Sequence, residues 1–308
     1  MRRLIVRAAS GLRAILAGTF MLAAVAVAQQ PDDATVTTQL LAPDLHLLLG
    51  TGGGQVAGNA LVSIGTQGVL IVDTGFPAFV PKYRAAIAAL GGGEIRFVIN
   101  THWHDDHAEG NKVLGPDGAV LIAHAGSREM LTRHNKINVV RTVLDQPAYP
   151  PAAVPNITYD ERIELFFNGE PIALLHFARA HTAGDTAVIF RGHNAVHMGD
   201  VFLSAAYPFF DVDNGGDFDG LIEFCSRVLE EIDRDTLVVP GHGQVATYAD
   251  LASYTDMLRT VRGRIAALIA DGATLAQVTA AQPTQEWDAK YGNPTTYFID
   301  RAYKSLKQ

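Results

Sequence analysis

Three apolar runs separated by glycine-rich turns, "LLAPDLHLLLG", "GNALVSIG" and "GVLIVDTG", predict a β-meander near the start of the chain. The spacing then becomes helical over "VPKYRAAIAALGGG", which stops at its glycines, and "EIRFVIN" returns to a short buried strand. "AVLIAH" predicts a further strand, followed by a helix from near Gly126 and a long proline-rich connection through "DQPAYPPAAVPN". The second half repeats this order. "ERIELFFN", "EPIALLHFA", "TAVIFRG" and "NAVHMGD" predict strands, "LIEFCSRVLEEI" a helix and "TLVVPGHG" a strand, and helices run from "YADLASYTDMLRTVRGRIAALIADG" to the C-terminus. Two halves of strands followed by helices predict an α/β arrangement of two sheets face to face with helices outside. Short-period repeats and low-complexity tracts are absent from the sequence.

With 308 residues, 48% of them hydrophobic, the chain has enough apolar surface for a full core. Residues 1–28 stand apart. Arg2, Arg3, Arg7 and Arg13 precede the acid-free, fifteen-residue run "AILAGTFMLAAVAVA", which ends in a small-x-small triplet. This predicts a cleaved secretory signal over 1–28, a loose polar lead-in over 29–37 and one domain over 38–308. The apolar run falls short of the roughly 20 residues that span a bilayer, so no stable membrane anchor is expected after cleavage, and the expected location is periplasmic or secreted. Cleavage would change the formal charge from −8 to −12, twenty basic residues against thirty-two acidic ones. Such a surface is repelled by phosphate backbones and anionic membranes, which disfavours nucleic-acid partners. The lone Cys225 shares a helical face with Leu221, Val228 and Ile232 and predicts core packing.

Two motifs lose their first meaning in context. "GGGQVA", Gly52 to Ala57, fits a dinucleotide-binding pattern with Asp73 downstream, but strand-like sequence follows it, so a hairpin loop is expected. "DVDNGGDFDG", from Asp211, has Gly215 and Ile222 where a calcium loop requires oxygen ligands. A turn and a helix start are expected there, with Asp217 or Asp219 as cap.

The chemistry concentrates in "THWHDDHAEGN", residues 101–111. In an extended segment His102, His104 and Asp106 point to one side, and a turn into a helix swings His107 beside them. Such a set buries apolar surface poorly, and its histidines repel one another once protonated. A divalent cation removes both difficulties, since zinc accepts imidazole nitrogen and carboxylate oxygen.

This His-x-His-x-Asp-His motif resembles that of the metallo-β-lactamase superfamily. The resemblance extends, in the family's order, to His181 in "AHTAGDT", Asp200 in "HMGDVF" and His242 in "VVPGHG", with Asp73 in "LIVDTG" as a support for the metal ligands. It implies a four-layer αββα sandwich and two zinc ions per chain. One zinc would take His102, His104 and His181, the other Asp106, His107 and His242, with Asp200 as a bridge. His46, His124, His134, His176, His193 and His197 match no ligand segment, although His124 or His176 is a candidate for lining the cleft.

Two such cations hold a water of near-neutral pKa and polarise a carbonyl, with Asp106 as the residue that orients the attack. The resemblance therefore implies a zinc hydrolase that opens a small cyclic amide or ester, a β-lactam first. Lactone or thioester hydrolysis and a non-hydrolytic metal or redox module are the alternatives. Asp200 resembles the bridging aspartate of hydroxyacylglutathione hydrolases and lactonases, whereas the expected export favours β-lactams. Tyr207, Phe209 and Phe210, directly after Asp200, are candidates for a substrate wall.

Overall fold

The structure, a computed structural model, describes residues 34–52 and 55–308. The expected signal over 1–28 and residues 29–33 of the lead-in lie outside the described residues. Ordered strand begins earlier than the expected boundary at residue 38, because the β-branched run Thr35, Val36, Thr37 and Thr38 pairs with the following strand.

The first half contains β1 (Thr35–Ala42), β2 (Leu45–Gly52), β3 (Gln55–Val56), β4 (Ala60–Gly65) and β5 (Gly68–Val72). After α1 (Val80–Ala89) come β6 (Ile95–Ile99), the single turns α2 (Asp105–Ala108) and α3 (Asn111–Leu114), β7 (Val120–His124) and α4 (Ala125–Leu131). A hairpin of β8 (Asn135–Asn138) and β9 (Val143–Gln146) precedes β10 (Ile157–Tyr159). These strands form a sheet in the order β1-β2-β4-β5-β6-β7-β10, with β3 folded back on β2. The hairpin β8–β9 stands apart from it. Gly52 and Gln55 pair across the β2–β3 hairpin, as expected for the glycine-rich segment.

The second sheet runs in sequence order through β11 (Arg162–Phe167), β12 (Glu170–Leu175), β13 (Ala187–Phe190), β14 (Ala195–His197), β15 (Leu237–Val239) and β16 (Ala246–Thr247). α5 (Phe218–Glu231) crosses between β14 and β15, and α6 (Tyr248–Ala270), α7 (Leu275–Ala280), α8 (Asp288–Tyr291) and α9 (Phe298–Ser305) follow. α5 starts on Asp217, whose carboxylate accepts from Gly220 N, while Asp219 pairs instead with Arg262. α6 opens with a reciprocal cap between Thr247 and Asp250.

Strand alternation sorts the core into layers. Ala60, Val62 and Ile64 of β4 meet Val80, Tyr83 and Ile87 of α1, while Leu61 points the other way, toward Ile172 and Leu174 of β12. Ala173 and Leu175 of β12 face outward onto Leu221, Phe224 and Cys225 of α5 and Leu258 of α6. The layers are therefore helix, sheet, sheet and helix, the αββα sandwich expected. Asp73 follows β5, residues 101–107 follow β6, Asp200 follows β14 and His242 follows β15, so strand ends deliver the site.

Candidate metal centre

Beyond β6 the chain bends at Thr101 and His102, returns to extended geometry at His104 and enters α2 at Asp105. This local change of period puts His102, His104, Asp106 and His107 together. The turn is held by Asp73, a fully buried residue at a left-handed φ of 60°. Its Oδ1 accepts from Thr101 N at 2.8 Å, and its Oδ2 accepts from Thr101 Oγ1 at 2.8 Å and His107 Nδ1 at 2.7 Å. Two glycines are forced by close approach: a Cβ on Gly58 would lie 2.1 Å from His107 Cε1, and one on Gly241 would lie 2.0 Å from Asp200 Oδ1.

All seven side chains singled out by motif converge. Three overlapping sets have their ligand atoms within 4.8 Å of one another: His102, His104 and His181; Asp106, His107 and His242; and His102, His107 and Asp200. In the first, His181 Nε2 is 2.9 Å from His104 Nδ1. In the second, His242 Nε2 lies 3.0 Å from Asp106 Oδ2 and 3.3 Å from His107 Nε2. Asp200 stands between them, with Oδ1 3.1 Å from His107 Nε2 and 3.6 Å from His242 Nε2, and Oδ2 3.8 Å from His181 Nε2.

The rings are oriented from behind. His107 Nδ1 donates to Asp73, His181 Nδ1 to the Phe209 carbonyl at 2.7 Å and His102 Nδ1 to Thr101 Oγ1 at 3.1 Å, so each turns Nε2 inward. His104 is reversed, its Nε2 resting on Asp211 Oδ2 at 3.3 Å and its Nδ1 facing the cluster. Nitrogen and oxygen atoms thus crowd the centre, and two buried atoms there, His102 Nε2 and Asp200 Oδ1, have no hydrogen-bond partner among the described residues. Buried polar atoms without partners are costly, and this donor set of five imidazoles and two carboxylates fits divalent-cation binding.

Electrostatics point the same way. Burial, reinforced by His107, His181 and His104, holds the His102 imidazole well below its usual range, and burial with His104 lowers His181 to about 4. At His107 burial is outweighed by Asp106, Asp200 and Asp73, which raise it well above the usual value. Burial is likewise outweighed at His104 by Asp211 and at His242 by Asp200 and Asp106, and both are raised. For Asp106 and Asp200 burial opposes ionisation, but His107 and His242 prevail and hold both carboxyls well below the usual carboxylate range. Metal-free, the cluster needs protons to balance its carboxylates; a cation supplies that positive charge directly.

The aromatic wall needs correction. Tyr207 is buried against Phe298 in a stack 5.0 Å between centroids, and Phe210 is buried against Phe218 at 5.2 Å, so both are core residues rather than cleft lining. Phe209 alone stays half-buried, 6.2 Å from the His104 ring and 5.8 Å from that of His181. His124 and His176 stack on each other at 3.9 Å and join none of the ligand sets. Sequence reasoning missed Thr101, Asp211 and Asn59. Asn59 Nδ2 donates to the Pro240 and Gly243 carbonyls, bracing the turn that carries His242. Asp211 lay in the segment recognised only as a poor calcium loop; an aspartate following an aromatic run was the available signal.

Comparison with known proteins gives concordant results. A family model described as the metallo-beta-lactamase superfamily matches residues 53–259. A hydroxyacylglutathione hydrolase from Polaromonas sp. strain JS666 is 30% identical over 173 residues, which are 52% of this chain and 53% of that protein. The chain therefore spans about half the length of this curated relative. A metallo-beta-lactamase from Pontibacter korlensis superposes with a TM-score of 0.59 at 16% identity, covering 73% of this chain and 99% of the other. The DIM-1 metallo-beta-lactamase does so with a TM-score of 0.59 at 20% identity, covering 73% and 98%.

Proposed function

The chain belongs to the metallo-beta-lactamase superfamily, and from that premise we propose that it is a two-zinc hydrolase that opens a small cyclic amide or ester. The observation that carries this reading is the gathering of seven ligand-type side chains into three overlapping sets, with Asp200 within reach of both His107 and His181. When bound, two such cations supply a water acidified to near neutrality and a Lewis acid for the scissile carbonyl. The protein's own part is orientation. His102, His107 and His181 are sealed from solvent, whereas the side chains of Asp106 and His242 are 25% and 30% exposed, so the mouth of the site lies over them. Asp106, ionised across the neutral range, is an acceptor at that mouth, fit to align the attacking water. Phe209 forms the apolar side of the cleft beside His104 and His181.

A β-lactam is the first substrate of this reading, supported by the export expected from residues 1–28, which would place the enzyme in the periplasm or outside the cell. A second reading, a lactone or thioester, is supported by Asp200 reaching both ligand sets and by the similarity to a hydroxyacylglutathione hydrolase. The test is a panel of a chromogenic cephalosporin, a lactone and a thioester offered to zinc-loaded protein. Turnover of at least one, abolished by a chelator and restored by zinc, is expected. Inertness toward all three contradicts the proposal.

A further inference from the structure

We propose that Asp211 is a positioning residue that locks the reversed ring of His104 and thereby assembles one of the two metal subsites, that of His102, His104 and His181. The inference rests on the two-metal reading above. Asp211 is wholly buried, and with its Oδ1 lacking a hydrogen-bond partner among the described residues, the contacts of its Oδ2 fix the side chain. Its Oδ2 accepts from His104 Nε2 at 3.3 Å and from Asn214 Nδ2 at 2.8 Å. Three other rings of the cluster, His102, His107 and His181, rest on Nδ1, and His104 alone among these four rests on Nε2. An imidazole that offers Nδ1 to a cation must carry its proton on Nε2, and the acceptor facing Nε2 sets that tautomer and the plane of the ring.

The same segment also holds His181. The Phe209 carbonyl accepts from His181 Nδ1, and Asp211 N donates to the His181 carbonyl at 2.8 Å. Two of the three members of this subsite are thus tied to residues 209–211, while His107 of the other subsite is tied to Asp73. The segment is itself braced at several points. Asn214 N and Gly216 N donate to the Asp211 carbonyl at 2.9 and 2.8 Å, and Asn214 Nδ2 donates to the Lys136 carbonyl of β8 at 2.9 Å. Arg301 of α9, fully buried, donates to Asp213 at 2.9 Å. A loop anchored to both β8 and α9 therefore backs one subsite and leaves the other to a different support.

The test is a zinc titration of metal-free protein against a chromophoric chelator, for the wild type, Asp211→Ala and Asp211→Asn. The wild type is expected to bind two ions. In Asp211→Ala one site should weaken by about 10- to 100-fold while the other keeps its affinity. Asp211→Asn, which retains an acceptor oxygen opposite Nε2, should recover most of that loss. Wild-type behaviour of Asp211→Ala, or equal weakening of both sites, overturns the proposal. A wild type that binds no zinc instead defeats the two-metal reading itself. Should Asp211→Ala not fold, imidazole 15N spectra of the zinc-loaded wild type decide. His104 protonated at Nε2, with His102, His107 and His181 protonated at Nδ1, is the expected pattern, and a His104 protonated at Nδ1 overturns the proposal.

Discussion

His104→Ala is expected to empty the subsite of His102, His104 and His181 and to lower kcat/KM by about a thousandfold or more, with the fold intact. Two imidazoles cannot hold a zinc that normally takes three protein ligands, and losing that cation removes the several kcal/mol of Lewis-acid stabilisation it supplies. The remaining groups do not compensate. His181 would lose its 2.9 Å neighbour, and Asp200 would face an emptied subsite on its Oδ2 side. Metal analysis and the hydrolysis assay on the same preparation check this, with circular dichroism as the control for folding. Full activity in the variant would refute the assignment.

Asp73→Ala should be the most destabilising of the single substitutions around the site. The carboxylate is fully buried and receives three hydrogen bonds, from Thr101 N, Thr101 Oγ1 and His107 Nδ1. Each buried donor left without an acceptor costs about 1–3 kcal/mol, and because the three share one acceptor the total is expected at about 3–5 kcal/mol. Alanine also tolerates the left-handed backbone at this position less well than aspartate or asparagine. A fall in Tm of about 10 °C follows for a domain of this size. Asp73→Asn, which keeps one acceptor oxygen and suits the backbone, should lose less than half as much. Equal stability of the alanine variant and the wild type would remove Asp73 from its place as the support of the site.

The layering was readable because its cause is local. Alternation in β4 and β12 and helical spacing in α1 and α5 each assign a face, and faces must be buried. The convergence of seven side chains was readable for a related reason: each follows a strand, and the period change at His104 needs only the residues around it. The failures share the opposite property. Tyr207 and Phe210 are interior because Phe298 and Phe218, from helices later in the chain, cover them, and nothing in "YPFF" separates them from Phe209. Asp211 matters because it meets a ring 107 residues earlier, a pairing that no local pattern encodes. The β8–β9 hairpin escaped notice because its strands have four residues each, too few for alternation to register.

Metal content tests the central claim most directly. Protein purified in the presence of zinc and dialysed free of excess should carry two zinc ions per chain by mass spectrometry, with one or none in His104→Ala. A wild type that retains no metal after exposure to zinc, cobalt or iron salts would contradict the account.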